Sequence, residues 1–283
     1  AGTYAIAVTI DSNNYVLTGK TTSSFVIAKA EVETPTLNSK VYTGEVQTAD
    51  VPASSLYTVT KNNGGTSVGT YGVVLTLTDP ANYRWDAKNG MTDFAITKSE
   101  NTWTAEPAIT GWTYGDTAGT PSGKAKFGEM KVTYSADGQT FTSAVPTAAG
   151  DYMACFTVEG TEDYGSLTKE VKFTIARREL TVTITPNGGT YAGTITPAAT
   201  QLNGVLDGDT VPMELTYNGS TAVPTAAGTY TIAVTIDSNN YVLTGETTAN
   251  FVIAKAEVET PTLNSKVYTG AVQTADVPAS SLY

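Results

Sequence analysis

The side chains that could perform chemistry in this chain are few, and their types exclude most catalytic sites. The 283 residues contain no histidine and a single cysteine, Cys155. A Ser-His-Asp triad, a Cys-His pair and a histidine-ligated metal are therefore excluded. Paired carboxylates for glycoside hydrolysis would need long loops to build a pocket, and the predicted connections are short. We expect no enzyme activity, and we expect Cys155 to be a small strand residue.

Oxygen-rich turns are the segments that could bind a metal. Asp, Asn and Glu cluster at 11–14, at the copy of that segment in 237–240, and at 162–163 and 207–209. Calcium takes about six to eight oxygen ligands, but none of these segments has the spacing of an EF-hand loop. Asx turns at the ends of β-hairpins use the same residues. We therefore predict turns and no cofactor, with Ca²⁺ as the alternative.

Aromatic side chains are the remaining candidates for recognition, because saccharide rings stack on exposed Trp and Tyr. Trp103, Trp112 and Tyr114 lie close together in the sequence. Trp112 and Tyr114 alternate on one face of a predicted strand, and Trp103 lies in the strand before it. We predict that they pack in a core, and a ligand platform is the alternative.

A long internal repeat determines how these residues are arranged. Residues 227–283 repeat residues 1–57 at an offset of 226, and only five of the 57 positions differ. Near-identity at so long a period indicates a tandem duplication of a composite unit. The unit itself divides into three.

Three short motifs recur in fixed order inside the unit. A Tyr-x-Gly motif begins at Tyr42, Tyr191 and Tyr268, and the variant Tyr114-Gly115-Asp116 occupies the same place in the remaining unit. A Gly-x-Tyr motif begins at Gly2, Gly69, Gly150 and Gly228, and a turn tyrosine follows its own tyrosine after 11 or 12 residues, at Tyr15, Tyr83, Tyr164 and Tyr241. A Phe-x-Ile motif then closes each unit, at Phe25, Phe94, Phe173 and Phe251.

The closing motif leads directly into a basic residue and, two positions later, a glutamate. These junction pairs are Lys29/Glu31, Lys98/Glu100, Arg177/Glu179 and Lys255/Glu257. Residues two apart share one side of a strand, so each pair is expected to form an exposed ion pair worth about 0.2–1 kcal/mol. The predicted domains are 30–98, 99–177 and 178–255, flanked by the end of a domain in 1–29 and the beginning of another in 256–283.

The local pattern predicts an all-β protein. In residues 230–236, Tyr, Ile, Val and Ile alternate with small or polar residues, which is typical of a half-buried strand. Turn signals containing Asn-Gly or Asp-Gly separate such runs, and no segment keeps a helical period. About seven short strands in each 70 to 80 residues predict a tandem array of immunoglobulin-like β-sandwich domains.

The repeated motifs also resemble a known family. Tyr-x-Gly, Ala-Gly-Thr-Tyr, Asn-Tyr and Phe-x-Ile-Ala-Lys-Ala are similar to the bacterial Ig-like repeats called MBG or YDG-type modules. The resemblance implies a stalk in a large adhesin-like protein of the bacterial cell surface, in a Gram-positive cell wall, with no catalytic residues to transfer. Two alternatives stay open: an array that binds glycans or host surface proteins, and a subunit of a self-assembling extracellular filament.

Charge and hydropathy limit the partners. The formal net charge of −11 argues against nucleic acid, because nucleic-acid binders concentrate Lys and Arg. No apolar run approaches the ~18 residues of a membrane span, so we expect no membrane insertion in this segment. The junctions lack Gly/Ser-rich or Pro-rich linkers, which predicts that neighbouring repeats of the same chain are the immediate partners and that the array is a stiff rod.

Overall fold

The protein, described here by a computed structural model of residues 1–281, is built from β-strands joined by turns and loops. No helix occurs among these residues, so they include no helix able to cross a membrane. Strand pairing stays inside four stretches of chain, 1–27, 30–97, 103–176 and 178–254. These stretches end beside the predicted boundaries, which remain a prediction. The last two residues of the predicted segment 256–283 lie outside the described residues.

The stretch 30–97 forms two sheets. One sheet has the order β4-β8-β6-β5, and the other pairs β3 with β7. Its strands are β3 (Ala30–Val32), β4 (Lys40–Val41), β5 (Tyr57–Lys61), β6 (Gly69–Leu77), β7 (Tyr83–Trp85) and β8 (Met91–Thr97). Alternate residues of β6 and β8, including Val73, Leu75, Phe94 and Ile96, are buried in one apolar cluster. The two-residue period of the sequence therefore predicts which side chains form this core.

The stretch 178–254 follows the same plan with more strands. Its sheets have the orders β17-β16-β22-β20-β19 and β18-β15-β21. The strands are β15 (Arg178–Thr185), β16 (Gly188–Thr190), β17 (Ile195–Thr196), β18 (Ala199–Asn203), β19 (Met213–Tyr217), β20 (Gly228–Ile236), β21 (Tyr241–Leu243) and β22 (Thr248–Ala254). Ile232 and Val234 are buried in the core with Phe251, as the alternation in 230–236 predicts. The shorter stretch 30–97 has no strand corresponding to β18.

The stretch 103–176 is divided between two compact units of the chain. One unit comprises 1–108, 121–133 and 154–171, and the other comprises 109–120, 134–153 and 172–283. The strands are β9 (Trp103–Ala108), β10 (Trp112–Thr113), β11 (Ser122–Ala125), β12 (Met130–Ser135), β13 (Gly150–Val158) and β14 (Leu167–Ala176). One sheet pairs β11 with β9, and the other has the order β10-β14-β13-β12.

The flanking segments are less complete. Residues 1–29 form only the hairpin of β1 (Gly2–Ala7) and β2 (Thr22–Ile27), and no strand occurs in residues 256–281. Phe25 of the hairpin is 47% exposed, whereas its copy Phe251 is fully buried. The difference arises because Val182 and Ile184 of β15 pack against the core that contains Phe251. Nearly identical segments, 1–29 and 227–255, therefore have different environments in the chain.

Two parallel pairings recur and position the repeated tyrosines. The strand before each Tyr-x-Gly motif lies parallel to the closing strand, in β4/β8, β10/β14 and β16/β22. The strand at each turn tyrosine lies parallel to the first strand of its stretch, in β3/β7 and β15/β21, and as a single bridge between Ser99 and Tyr164. The stretches 30–97, 103–176 and 178–254 therefore each carry one motif tyrosine and one turn tyrosine at equivalent places.

Candidate functional site

Tyr42, Tyr114 and Tyr191 are each held at the end of the closing strand of their stretch by the same backbone hydrogen bond. The amides of Tyr42, Tyr114 and Tyr191 donate to the carbonyls of Thr97 (2.8 Å), Ala176 (2.9 Å) and Ala254 (2.8 Å), respectively. The parallel pairing beside the closing strand produces this bond in all three stretches. The three side chains therefore start from equivalent backbone positions, next to the junction with the following stretch.

Three turn tyrosines, Tyr83, Tyr164 and Tyr241, are each held by a bond to the residue three or four positions before them. The amide of Tyr83 donates to the carbonyl of Asp79 at 3.1 Å. The amides of Tyr164 and Tyr241 donate to the hydroxyls of Thr161 (3.1 Å) and Ser238 (3.2 Å). Hydroxyl-capped turns of this kind make the loop local and compact.

The motif tyrosine of one stretch packs against the turn tyrosine of the next. The rings of Tyr42 and Tyr164 meet edge to face with centroids 5.6 Å apart, and we name this contact the first tyrosine joint. The rings of Tyr114 and Tyr241 meet in the same way at 5.4 Å, and this contact is the second tyrosine joint. Edge-to-face pairs at this distance are favourable by about 0.5–1.5 kcal/mol beyond their buried area.

In the second joint, one carboxylate binds both hydroxyls. The hydroxyl of Tyr114 donates to Asp209 Oδ2 at 3.0 Å, and the hydroxyl of Tyr241 donates to the same oxygen at 2.5 Å. The hydroxyl oxygen of Tyr241 also accepts the amide of Leu206 at 3.1 Å. Two charge-assisted donors on one acceptor fix the loop that carries Asp209 relative to both rings.

The same carboxylate changes the acidity of both tyrosines. The hydrogen bond to Asp209, followed by burial, raises the pKa of Tyr114 above its usual value. Burial, followed by the hydrogen bond to Asp209, raises the pKa of Tyr241. Both effects disfavour the tyrosinate, because a phenolate would lose the hydrogen bond and stand beside a negative charge. The second joint therefore favours neutral tyrosines.

Backbone and charged groups complete the second joint. Arg178 Nη1 donates to the carbonyl of Tyr114 at 3.1 Å and to Asp116 Oδ1 at 2.9 Å. Gly115 has φ +81° and lies against Leu206, so close that a Cβ here would stand 2.1 Å from Leu206 Cδ1. The close approach of Leu206 requires both the left-handed backbone and the absence of a side chain.

The first joint uses stacking where the second uses a shared carboxylate. Tyr164 stacks on Phe127 with centroids 3.6 Å apart, and its exposed edge receives Tyr42. Burial, followed by the negative charge of Asp163, raises the pKa of Tyr42. One oxygen of Asp163, Oδ1, is buried without a hydrogen-bond partner. The aromatic contact is common to both joints, and the polar contacts around it differ.

Two further contacts recur across the junctions. The amide of Ala149 donates to Asn240 Oδ1 at 2.9 Å, and the amino group of Ala1 donates to the corresponding Asn82. The closing lysines donate to the carbonyl three residues before the turn tyrosine, Lys29 to Pro80 at 2.6 Å and Lys98 to Thr161 at 2.5 Å. The junctions are therefore bound by side chain and backbone together.

The structure places the predicted junction pairs in two different roles. Lys29 and Lys98 bind the turn of the following stretch, as above, and Glu31 binds Arg84 at 2.9 Å. Arg177 lines a groove with Asn239, and Glu179 lies in β15. Within residues 1–281, none of the ion pairs joins Lys29 to Glu31, Lys98 to Glu100, Arg177 to Glu179 or Lys255 to Glu257.

The predicted aromatic residues are half-buried. Trp112 stacks on Phe173 with centroids 5.2 Å apart. Trp103 begins β9 and is also half-buried. Trp112 and Tyr114 line one side of a groove whose other wall includes Pro146 and Leu206. The structure thus uses Tyr114 in the second joint and Trp112 in aromatic packing.

One of the acidic turns, at 207–209, makes hydrogen bonds within the protein. Asp209 receives the two tyrosine hydroxyls, and no group of three or more Asp, Glu or Cys suited to a metal occurs in the described part of the chain. Burial, followed by the negative charge of Glu170, raises the pKa of Cys155 and disfavours its reactive thiolate.

The sequence revealed both tyrosine motifs, but it did not predict that the motif tyrosine of one stretch contacts the turn tyrosine of the next. The signal was present in their equal recurrence, since Tyr42 and Tyr114 are each followed by a turn tyrosine in the next stretch, Tyr164 and Tyr241. Asp209 carried no comparable signal, because the first joint has no equivalent carboxylate bound to both rings.

Comparison with known proteins identifies one type of module. Residues 1–31 and 180–257 match the family model of the MBG domain. No curated protein matches the chain. A crystal structure of Drosophila N-cadherin EC1-3 is similar with 9% identity, covering 80% of this chain and 99% of that one at a TM-score of 0.24. Drosophila N-cadherin EC1-4 has 11% identity, with 81% and 75% covered at a TM-score of 0.19.

Proposed function

We propose that this chain, which carries MBG-type repeat modules, is part of the structural stalk of a bacterial adhesin-like surface protein. In this proposal, residues 30–98, 99–177 and 178–255 are three tandem Ig-like β-sandwich modules, called the first, second and third modules below. Their role is to hold a distal domain away from the cell wall, with a length set by the number of modules. The chain has no catalytic role in this proposal.

The observation that carries the proposal is the recurrence of one joint at two successive junctions. Tyr42 meets Tyr164, and Tyr114 meets Tyr241, with nearly equal centroid distances of 5.6 and 5.4 Å. A chain of modules linked only by covalent connection would leave these positions free to vary. Repeated contacts of the same kind support a role in which neighbouring modules hold a set orientation.

The connections between modules support the same role. Lys98 and Asn101 are only three residues apart, and both are already bound, Lys98 to Thr161 and the side chain of Asn101 to the carbonyl of Phe127. At the next junction, the amide of Arg178 donates to the carbonyl of Asn240 at 2.9 Å. Short connections whose residues are held by such bonds restrict the bending of one module against the next.

The experiment that tests this proposal measures whether two modules tumble together. We expect ¹⁵N relaxation of the whole chain to give one rotational correlation time for amides on both sides of the second joint. Tyr114→Ala removes the ring and the hydroxyl, and we expect the two correlation times to separate. Tyr191→Ala, at the equivalent exposed position, is the matched control and should leave them equal. Independent tumbling in the unmodified chain would refute the stalk role.

The location is tested separately. Antibodies raised against the chain should label intact cells of the producing bacterium, and digestion of the cell wall should release the labelled protein. Labelling that requires lysis of the cells would refute the surface location and leave the joints unaffected.

A further inference from the structure

The motif tyrosine of the third module, Tyr191, has the same backbone position as the tyrosines of the two joints, but its ring is exposed. Tyr191 is held by the same backbone bond as Tyr42 and Tyr114, and it is 52% exposed. The turn after it also matches the second joint: Ala192 has φ +61° where Gly115 has φ +81°. An alanine in the left-handed region costs about 1 kcal/mol or more, so this turn is maintained against a local preference.

The hairpin of residues 1–29 shows what the end of a third module binds. Ala1 and Lys29 are the copies of Ala227 and Lys255 at the offset of 226. Ala1 donates to Asn82, and Lys29 donates to the carbonyl of Pro80 at 2.6 Å. Both partners belong to the turn that carries Tyr83 in the first module. The Lys29 contact is therefore one contact that the chain already contains between third-module sequence and a first module, and the amide of Ala149 shows the backbone contact at the equivalent place in the second junction.

The missing element of that junction is the motif tyrosine. In both complete joints, the motif tyrosine and a second group of the same stretch contact the turn of the next stretch. In the first joint the second group is Lys98, which donates to Thr161, and in the second joint it is the amide of Ala149, which donates to Asn240. Residues 1–29 carry the lysine and the backbone donor, but the Tyr-x-Gly motif of that module type lies in its earlier part, at Tyr191. Residues 256–281 repeat the beginning of a first module.

We propose that Tyr191, Ala227 and Lys255 form a docking surface for the turn Asp79–Arg84 of a first module. The ring of Tyr191 receives the edge of the tyrosine equivalent to Tyr83. The amide of Ala227 and the amine of Lys255 bind the equivalents of Asn82 and Pro80. With this surface, the junction between a third module and the next first module contains the same tyrosine contact as the junctions from first to second and from second to third module. The inference rests on the proposed function and names the partner of that surface.

The test extends the full chain by its own repeat. Tyr283 corresponds to Tyr57, so appending residues 58–177 after it completes a first module, adds the second module that follows it in the present chain, and introduces no second copy of Tyr191. Hydrogen exchange is measured at the amide equivalent to that of Tyr83. We expect Tyr191→Ala to accelerate this exchange by roughly three- to tenfold, the factor of one edge-to-face aromatic pair. Tyr191→Phe keeps the ring and should exchange at the unmodified rate.

A second measurement does not depend on a variant. Nitration of Tyr191 by tetranitromethane, followed by mass spectrometry, should be slower in the extended chain than in the present chain. Equal nitration rates, or equal exchange rates in the extended chain with and without Tyr191→Ala, would overturn the docking surface. Common tumbling across the second joint would then still support the stalk role, so the two proposals can fail separately.

Discussion

Removing one carboxylate should loosen the second tyrosine joint. Asp209→Ala leaves the hydroxyls of Tyr114 and Tyr241 without their shared acceptor. A hydrogen bond to a charged group contributes about 1.5–3 kcal/mol when it is buried. Asp209 is half-exposed, so water compensates part of each loss, and we expect about 2–3 kcal/mol for the two bonds together.

The assay should be local, because unfolding of a multi-module chain need not be two-state. The amide of Ala149 donates across the junction to Asn240 Oδ1, so its hydrogen exchange reports opening of the joint. A loss of 2–3 kcal/mol corresponds to exchange that is roughly 30- to 150-fold faster. Asp207→Ala changes an exposed aspartate of the same loop and should alter the rate by less than about threefold. Protection of Ala149 that survives Asp209→Ala would refute the assigned role of the carboxylate.

Three further changes test the pH response, a turn and the core. The pKa values of Tyr114 and Tyr241 are raised, so the stabilisation that these tyrosines give is complete below about pH 10 and is lost as the pH rises through their folded-state pKa values. An absorbance titration of tyrosinate should therefore coincide with loss of the second joint. An unshifted titration would contradict this prediction. Gly64→Ala places a Cβ 1.8 Å from the carbonyl oxygen of Gln47 at φ +62° and should cost about 2–4 kcal/mol in urea unfolding, whereas Gly208→Ala, at φ +89° with open space around it, should cost about 1 kcal/mol; equal costs would show that the backbone relaxes. Phe251→Ala should cost about 3–5 kcal/mol, and Phe25→Ala, its exposed copy, less than about 1 kcal/mol in the same calorimetric measurement; equal losses would refute the different environments.

Strand content and burial in the third module followed from local pattern. The alternation in 230–236 predicts that Ile232 and Val234 face the core, and both are buried. This succeeds because successive side chains of a strand point to opposite faces, which is a property of the backbone alone. The sheets show that equal motifs occupy equal positions, since the closing strand β8 of 30–97 and the closing strand β22 of 178–254 each lie between the strand before the motif tyrosine and the strand of the Gly-x-Tyr motif.

The junction pairs could not be predicted from the local pattern. Residues Lys29 and Glu31 were expected to pair because they share one side of a strand. Lys29 instead reaches the carbonyl of Pro80, and Glu31 reaches Arg84, which lies beside it through the parallel pairing of β3 with β7. A parallel pairing between distant segments cannot be read from spacing within one strand.

The sequence by itself determined the strands, the turns, the repeat and the recurrence of two tyrosines in every module. Only the tertiary structure decided that the two tyrosines meet across a junction and that Asp209 binds both. Tyr114 and Asp209 are 95 positions apart. Their contact depends on how the stretch 103–176 packs against the stretch 178–254. Periodicity along the chain carries no information about that approach, because it reports only which face of its own strand a side chain occupies.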